Sequence, residues 1–291
     1  MIDSWSPWQI YTDWQPDLNS FKETLDGGQA FCWNSIDEYS YQGVVLNFPL
    51  RLRWLENKQV EWSCIPGQNE GAEKLLSTYL GTNKDYRAYY DTLPWRSDSH
   101  LKRCIEAYPD LRILGQPDGE TLLGFLCSAT KQIVQIKEMI QLVRSRFGRP
   151  LEDQMNQLPT WADLTTIEES ALRACKFGFR AANIHKAAIK IAEEDIDLSA
   201  LSSQPYEEAK DALCQFPGVG EKVADCTLLF GYHKLEAFPV DTWILKVMNR
   251  HYGLDDWSPK QVAHFGRIHF GSYAGLAQQF LFAWERSFGS K

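Results

Sequence analysis

The chain reads as an α+β protein: an N-terminal antiparallel β-sheet with helices, followed by an all-helical portion. Two observations predict this. Through the first hundred residues apolar positions alternate at a spacing of two, whereas from about Asp98 they recur at spacings of three and four. The 291 residues suit one large domain or two small ones, and the change of period suggests a division into 1–115 and 116–291.

In the first part, Leu50, Leu52 and Trp54 alternate with Arg51 and Arg53, and Val60, Trp62 and Cys64 alternate with Glu61 and Ser63. Asn57-Lys58 between them predicts a hairpin with one buried face. Tyr41 to Phe48 reads as a further strand, and residues 70–80 as a helix packed on the sheet. In the second part, Leu122, Leu126, Ala129, Ile133, Ile136, Ile140, Val143 and Phe147 step at helical spacing. They form one helix, or two in line broken near Ser128 to Gln132. Further helices fit 167–176, 180–193, 207–214, 220–231, 241–252, 259–270 and 273–287, with Gly and Pro punctuating them.

Composition narrows the function. No apolar run approaches 18 residues, so no membrane-spanning helix is expected. Met1-Ile2-Asp3-Ser4-Trp5 has no basic region leading into an apolar stretch, so no secretory signal is expected. The net charge of −8 argues against a bulk electrostatic nucleic-acid binder, though not against a protein that grips a few phosphates locally. Seven scattered cysteines without a CxxC pair read as reduced thiols. The expected location is the cytoplasm, near the nucleoid, or another reducing intracellular compartment. No cysteine follows Cys226, which excludes a C-terminal four-cysteine iron–sulfur cluster.

The richest segment is Phe216-Pro217-Gly218-Val219-Gly220-Glu221-Lys222-Val223-Ala224-Asp225-Cys226. Pro217 stops one helix, and Gly218 and Gly220 allow a tight hairpin into the next. Bare N–H groups at the start of that second helix make a phosphate-binding spot. A plain helix–helix corner would also use such glycines. Lys222, in the first turn, sits at the positive end of the helix dipole, where a lysine is poorly placed unless a neutral amine is wanted as a nucleophile. Nineteen residues on, Phe238-Pro239-Val240-Asp241-Thr242-Trp243 places Asp241 at the head of another helix. Taken alone, Asp241 is an N-cap and Lys222 a surface lysine.

Together, these motifs closely resemble the helix-hairpin-helix DNA glycosylase superfamily, whose lysine-bearing members are bifunctional glycosylase/lyases. Three further stretches resemble its 8-oxoguanine DNA glycosylases: Gly27-Gly28-Gln29-Ala30-Phe31-Cys32-Trp33, then Asp98-Ser99-His100 through Gly124-Phe125-Leu126-Cys127-Ser128, and Tyr273 through Phe282. The likeness runs over about residues 18 to 288. It implies a TBP-like N-terminal sheet, duplex DNA with a damaged base as the partner, and a monomeric enzyme that binds no membrane. Lys222 is then the nucleophile and Asp241 stabilises the cationic sugar. The Gly28 carbonyl accepts the N7–H that only the oxidised guanine carries. Gln278 reads the base's Watson–Crick edge, while Phe282 and Cys226 pack its two faces. Gly218, Gly220 and Val223 grip the backbone. No residue is assigned as a metal ligand, and the only cofactor suggested is a monovalent cation among the hairpin carbonyls.

There are departures from the family pattern. A run of Asn that fills the hole left by the flipped base is replaced here by Ala129-Thr130-Lys131-Gln132. An arginine that reads the opposing cytosine is Gln135, whereas Arg180, the other reading position, is kept. A phosphate-gripping His is Trp243. Lys131 is either a phosphate contact or a solvated side chain. The expectation is therefore excision of 8-oxoguanine followed by β-elimination, with relaxed selectivity for the opposite base. The competing readings are a glycosylase of the same fold for an alkylated or deaminated base, and a non-catalytic DNA-binding module.

Overall fold

The computed structural model describes residues 4–289; the Met1–Asp3 start read for a leader lies outside them. Five strands form one antiparallel sheet: β1 (Gln9–Tyr11), β2 (Asn34–Ser35), β3 (Ser40–Val45), β4 (Phe48–Trp54) and β5 (Val60–Cys64), in the order β1-β5-β4-β3-β2. The alternation sets the register: Leu50 lies opposite Cys64 and Leu52 opposite Trp62, all buried on one face. The predicted strand from Tyr41 to Phe48 is in fact two. The chain reverses at Leu46-Asn47, so that Val45 pairs with Phe48. Leu46 holds a left-handed φ of 55°, and no glycine marks the turn.

Four helices accompany the sheet: α1 (Leu18–Asp26), α2 (Asn69–Tyr79), α3 (Tyr86–Thr92) and α4 (Ser99–Ala107). The alternation argument passes over three of them. Their signals are N-caps, since the side chains of Asp17, Asp85 and Asp98 accept the first free N–H groups of α1, α3 and α4. Trp14, Phe21, Leu25, Leu50, Leu52 and Trp62 fill the sheet's core, closed by Leu114. Tyr86, Leu101, Tyr108 and Ile113 pack instead into the helical core. Packing thus does not divide at residue 115; the segment carrying α3 and α4 is built into the helical body.

That body comprises α5 (Asp118–Leu126), α6 (Ile133–Phe147), α7 (Trp161–Thr165), α8 (Glu169–Leu172), α9 (Arg180–Glu193), α10 (Tyr206–Cys214), α11 (Glu221–Gly231), α12 (Thr242–Tyr252), α13 (Pro259–Phe270) and α14 (Ala274–Phe288). The apolar stripe from Leu122 to Phe147 is two helices, broken over Cys127–Gln132, with Thr130 at φ 56°. The helix expected over 167–176 is shorter, because Cys175 and Lys176 leave helical geometry and Lys176 takes φ 66°. No described helix is long and apolar enough to cross a membrane.

Two contacts fix α11, which carries Lys222. Phe125 of α5 stacks on Phe230 at 5.5 Å between ring centroids. Buried Asp225 accepts from Tyr206 at 2.5 Å and pairs with Lys210 at 3.0 Å, which clamps α10 to α11. Burial pushes the Asp225 carboxyl up, against the pull of Lys210 and Tyr206.

Candidate active site and DNA-facing cleft

One open cleft of about 1090 Å³ gathers the loop after α1, the α5–α6 connection and the starts of α11 and α12, with α14 as a wall. Of the residues singled out from sequence, Lys222, Asp241, Gly28, Phe282, Val223, Trp243, Thr130 and Lys131 line it. Its charged lining is Lys131, Lys137, Lys222, Lys246 and Arg286 against Asp26 and Asp241. An acidic protein therefore presents a locally cationic groove, which focuses attraction on a polyanion.

Lys222 comes from the first turn of α11. Gly220 precedes it in extended conformation and offers no side-chain cap, so the first N–H groups of α11 stay open. The Lys222 Nζ donates to Ser128 Oγ at 3.2 Å and lies 5.1 Å from the Phe125 ring centroid. Ser128 in turn donates to the Phe125 carbonyl at 2.7 Å, so its hydroxyl is oriented to accept from the amine. Asp241 is both a cap and a cleft residue. Its Oδ1 accepts from the backbone N–H of Trp243 and of Ile244, each at 2.9 Å. Its Oδ2 accepts no hydrogen bond among the described residues. Burial pushes the carboxyl up, and the two N–H donors and the Lys222 charge pull it back.

Gly28 holds φ +100°, a conformation that favours glycine, and a Cβ there would meet Ile133 Cδ1 at 2.7 Å. The next residue anchors this loop. Buried Gln29 donates to the Arg112 carbonyl at 2.7 Å and accepts from Leu114 N–H at 3.0 Å. Cys226 and Gln278 lie buried behind the cleft lining. Gln278 Nε2 donates to the Pro239 carbonyl at 3.2 Å, and its Oε1 is buried without a partner. Burial pushes the Cys226 thiol up to about 11, so it is a neutral packing group.

The opposite-base positions are arranged differently. Arg180 is buried; its guanidinium donates to the carbonyls of Ala129 and Phe177 and to Thr130 Oγ1 at 3.1 Å. Gln135 has a structural task, because its Oε1 accepts the Gln132 N–H at 3.1 Å and caps α6. Its amide nitrogen donates no hydrogen bond among the described residues.

The hairpin glycines also differ. Gly218 has φ +82°, and a Cβ would sit 2.7 Å from the Asn183 amide; at Gly220 a Cβ would meet open space. The carbonyls of Gln215, Pro217 and Val219 accept no hydrogen bond among the described residues. Groups of His, Cys, Asp and Glu able to hold a metal are absent among the described residues.

Sequence reasoning passed over three side chains. Ser128 has no motif of its own. Phe179 is 60% exposed, and the Arg180 guanidinium lies 4.3 Å from its ring centroid. Lys246 lies 4.6 Å from the centroid of Trp243. An exposed aromatic directly before Arg180 and a lysine three residues beyond Trp243 are the only signals the sequence offered.

Comparison with known proteins identifies the family and the fold. Residues 15–122 match the 8-oxoguanine DNA glycosylase N-terminal domain, and residues 123–267 the HhH-GPD superfamily of base excision DNA repair proteins. The fold superposes on an 8-oxoguanine glycosylase/lyase of Clostridium acetobutylicum. In its complex with duplex DNA containing cytosine opposite 8-oxoguanine, that enzyme is 29% identical with TM-score 0.87, over 98% of this chain and 99% of the other. In its apo form the values are 30% and 0.85, over 97% and 99%. The N-glycosylase/DNA lyase OGG1 of Arabidopsis thaliana is 29% identical over 277 residues, 89% of this chain and 75% of that protein.

Proposed function

Since this chain belongs to the 8-oxoguanine DNA glycosylase family of the HhH-GPD superfamily, we propose that it excises 8-oxoguanine from duplex DNA and then cleaves the strand by β-elimination. The observation that carries this reading is the convergence of an amine, a carboxylate oxygen, the Gly28 loop and Phe282 on one cationic cleft.

A stacked base is out of reach of these groups, so it must swing out of the helix. Phe282 offers it a face. Gln278 has one amide end fixed on Pro239 and an unpartnered acceptor at the other, which a base N–H would satisfy. The Lys222 nitrogen forms a bond to C1′ as the C1′–N9 bond breaks and its electron pair leaves with the base. Positive charge develops on the sugar, opposite the Asp241 carboxylate. Ring opening gives a Schiff base. Loss of a 2′ proton then expels the 3′ phosphate, and hydrolysis frees the amine.

Backbone phosphates fall to the open N–H groups behind Gly220, with Val223 beside them. Lys246, resting on Trp243, supplies the cation that the replaced histidine would have brought. Phe179 is suited to fill the stack where the base leaves. A monovalent cation on the carbonyls of Gln215, Pro217 and Val219 would stiffen the hairpin. Seven free thiols suit a reducing intracellular compartment.

Borohydride trapping on an 8-oxoguanine:cytosine duplex tests the reading. Wild type gives a covalent complex, and Lys222→Gln gives none while still binding DNA. Trapping by Lys222→Gln at wild-type yield would move the nucleophile elsewhere. A panel of alkylated and deaminated duplexes excised faster than 8-oxoguanine would move the substrate.

A further inference from the structure

The base-facing end of the cleft is tied together by charges that the reaction does not use. Arg286, four residues beyond Phe282 on α14, donates from Nη1 to the Gly27 carbonyl at 2.7 Å and to Glu23 Oε1 at 3.1 Å. Its guanidinium also lies 5.2 Å from the Phe282 ring centroid. One side chain therefore touches both the aromatic wall and the peptide that leads into Gly28. Glu23, on α1, is mostly buried, and its own backbone carbonyl accepts the Gly27 N–H at 2.9 Å. A second tie runs from α6 to the same end of α1, where Lys137 pairs with Asp26 at 2.6 Å. That helix begins with Ile133, which packs against Gly28.

A stabilising role alone explains this arrangement poorly. A largely buried ion pair is often no better for stability than two apolar side chains of similar volume. Geometry is what it contributes. Glycine has the freest backbone of any residue, yet here the carbonyl of Gly28 must face one way for a single N–H to be recognised. The Gln29 side chain anchors the chain after Gly28, and Arg286 holds the carbonyl of the peptide before it.

We propose that Arg286, held by Glu23, is a positioning residue for lesion recognition that locks the Gly27–Gly28 peptide against Phe282 and so sets the slot for the oxidised base. The inference rests on the reading of Gly28 and Phe282 as base-recognition groups. Burial pushes the Glu23 carboxyl up to about 7, with Arg286 pulling it down and Asp26 pushing it further up, so the guanidinium is what favours the carboxylate.

The test compares two reactions of one protein. Excision of 8-oxoguanine needs the slot; β-elimination at a preformed abasic site has no base to seat. Arg286→Met should lower single-turnover excision at least tenfold more than it lowers β-elimination. Selectivity for 8-oxoguanine over guanine duplex in binding should fall with it, and Arg286→Lys should recover part of both. Should Arg286→Met lack a cooperative melt, Glu23→Gln, which keeps the shape, is to show the same split at smaller amplitude. Equal losses in both reactions, or none in either, would overturn the inference. Wild type that cleaves abasic sites but leaves 8-oxoguanine in place would instead overturn the function reading, and this inference with it.

Discussion

Lys222 and Asp241 line the cleft with reactive atoms still available, whereas Arg180 lies buried and its two Nη atoms already donate inside the fold. Lys222 Nζ rests on one hydroxyl, and Asp241 Oδ2 accepts nothing among the described residues. Arg180 donates to Ala129, Thr130 and Phe177, and Gln135 caps a helix. The chemical side is preorganised around the reaction; the opposite-base side is organised around its own fold. A substrate gains transition-state stabilisation from the first at little reorganisation cost. It must displace internal hydrogen bonds to gain anything from the second.

The largest effect should come from Asp241→Asn. Asn is as good an N-cap as Asp, so the α12 cap survives while the charge is lost. Single-turnover base release should slow roughly 10²–10³-fold, the order seen when one electrostatic stabiliser of a transition state is removed. Lesion affinity and melting temperature should barely move. An unchanged rate would reduce Asp241 to a cap and erase the contrast between the two sides.

The hairpin offers a second comparison within the chemical side. Gly218→Ala puts a Cβ onto Asn183 at φ +82° and should destabilise the fold by about 1–3 kcal/mol. Gly220→Ala meets open space and should leave the melt nearly unchanged. It should still weaken binding to damaged and undamaged duplex alike, because the role proposed for the hairpin is to meet phosphates and not bases. A Gly220→Ala loss confined to damaged duplex would mean that this turn reads the lesion.

The chemical side was legible because Lys222 and Asp241 lie close together in sequence, in a run that resembles the helix-hairpin-helix glycosylases. A lysine at a helix N-terminus asks for a reason, whereas Asp241 alone is an ordinary N-cap and gains its second task only beside the hairpin motif. Gly28 was singled out by the resemblance of Gly27 through Trp33 to the 8-oxoguanine DNA glycosylases. By contrast, the Arg286–Glu23 pair joins ordinary charged residues 263 positions apart, and only the fold brings them together. The cationic cleft was hidden for the same reason. Its lysines come from separate elements, and the net charge of −8 averages over the whole surface. Gln135 has a local task that the sequence reading passed over: a glutamine three residues past an N-cap closes a capping box.

The smallest effect concerns the opposite base, and Thr130 makes it testable. Thr130 is β-branched yet holds φ 56° at the exposed turn between α5 and α6, where its hydroxyl accepts from Arg180. Such a residue is strained in that region, which Asn tolerates far better. A cytosine facing this turn finds Arg180 already bonded, and each good paired contact that is missing removes roughly 1–3 kcal/mol of discrimination. Wild type should therefore excise 8-oxoguanine opposite cytosine less than a hundredfold faster than opposite every other base. Thr130→Asn should relieve the turn, stabilising the fold by about 1 kcal/mol. It should also add an amide able to meet the cytosine edge, raising the preference for cytosine by about tenfold. Four duplexes differing only in the opposing base, cut by both proteins under single-turnover conditions, give the answer. A wild-type preference beyond a hundredfold would mean that Arg180 leaves its loop at little cost, and that the chemical and opposite-base groups are prepared alike.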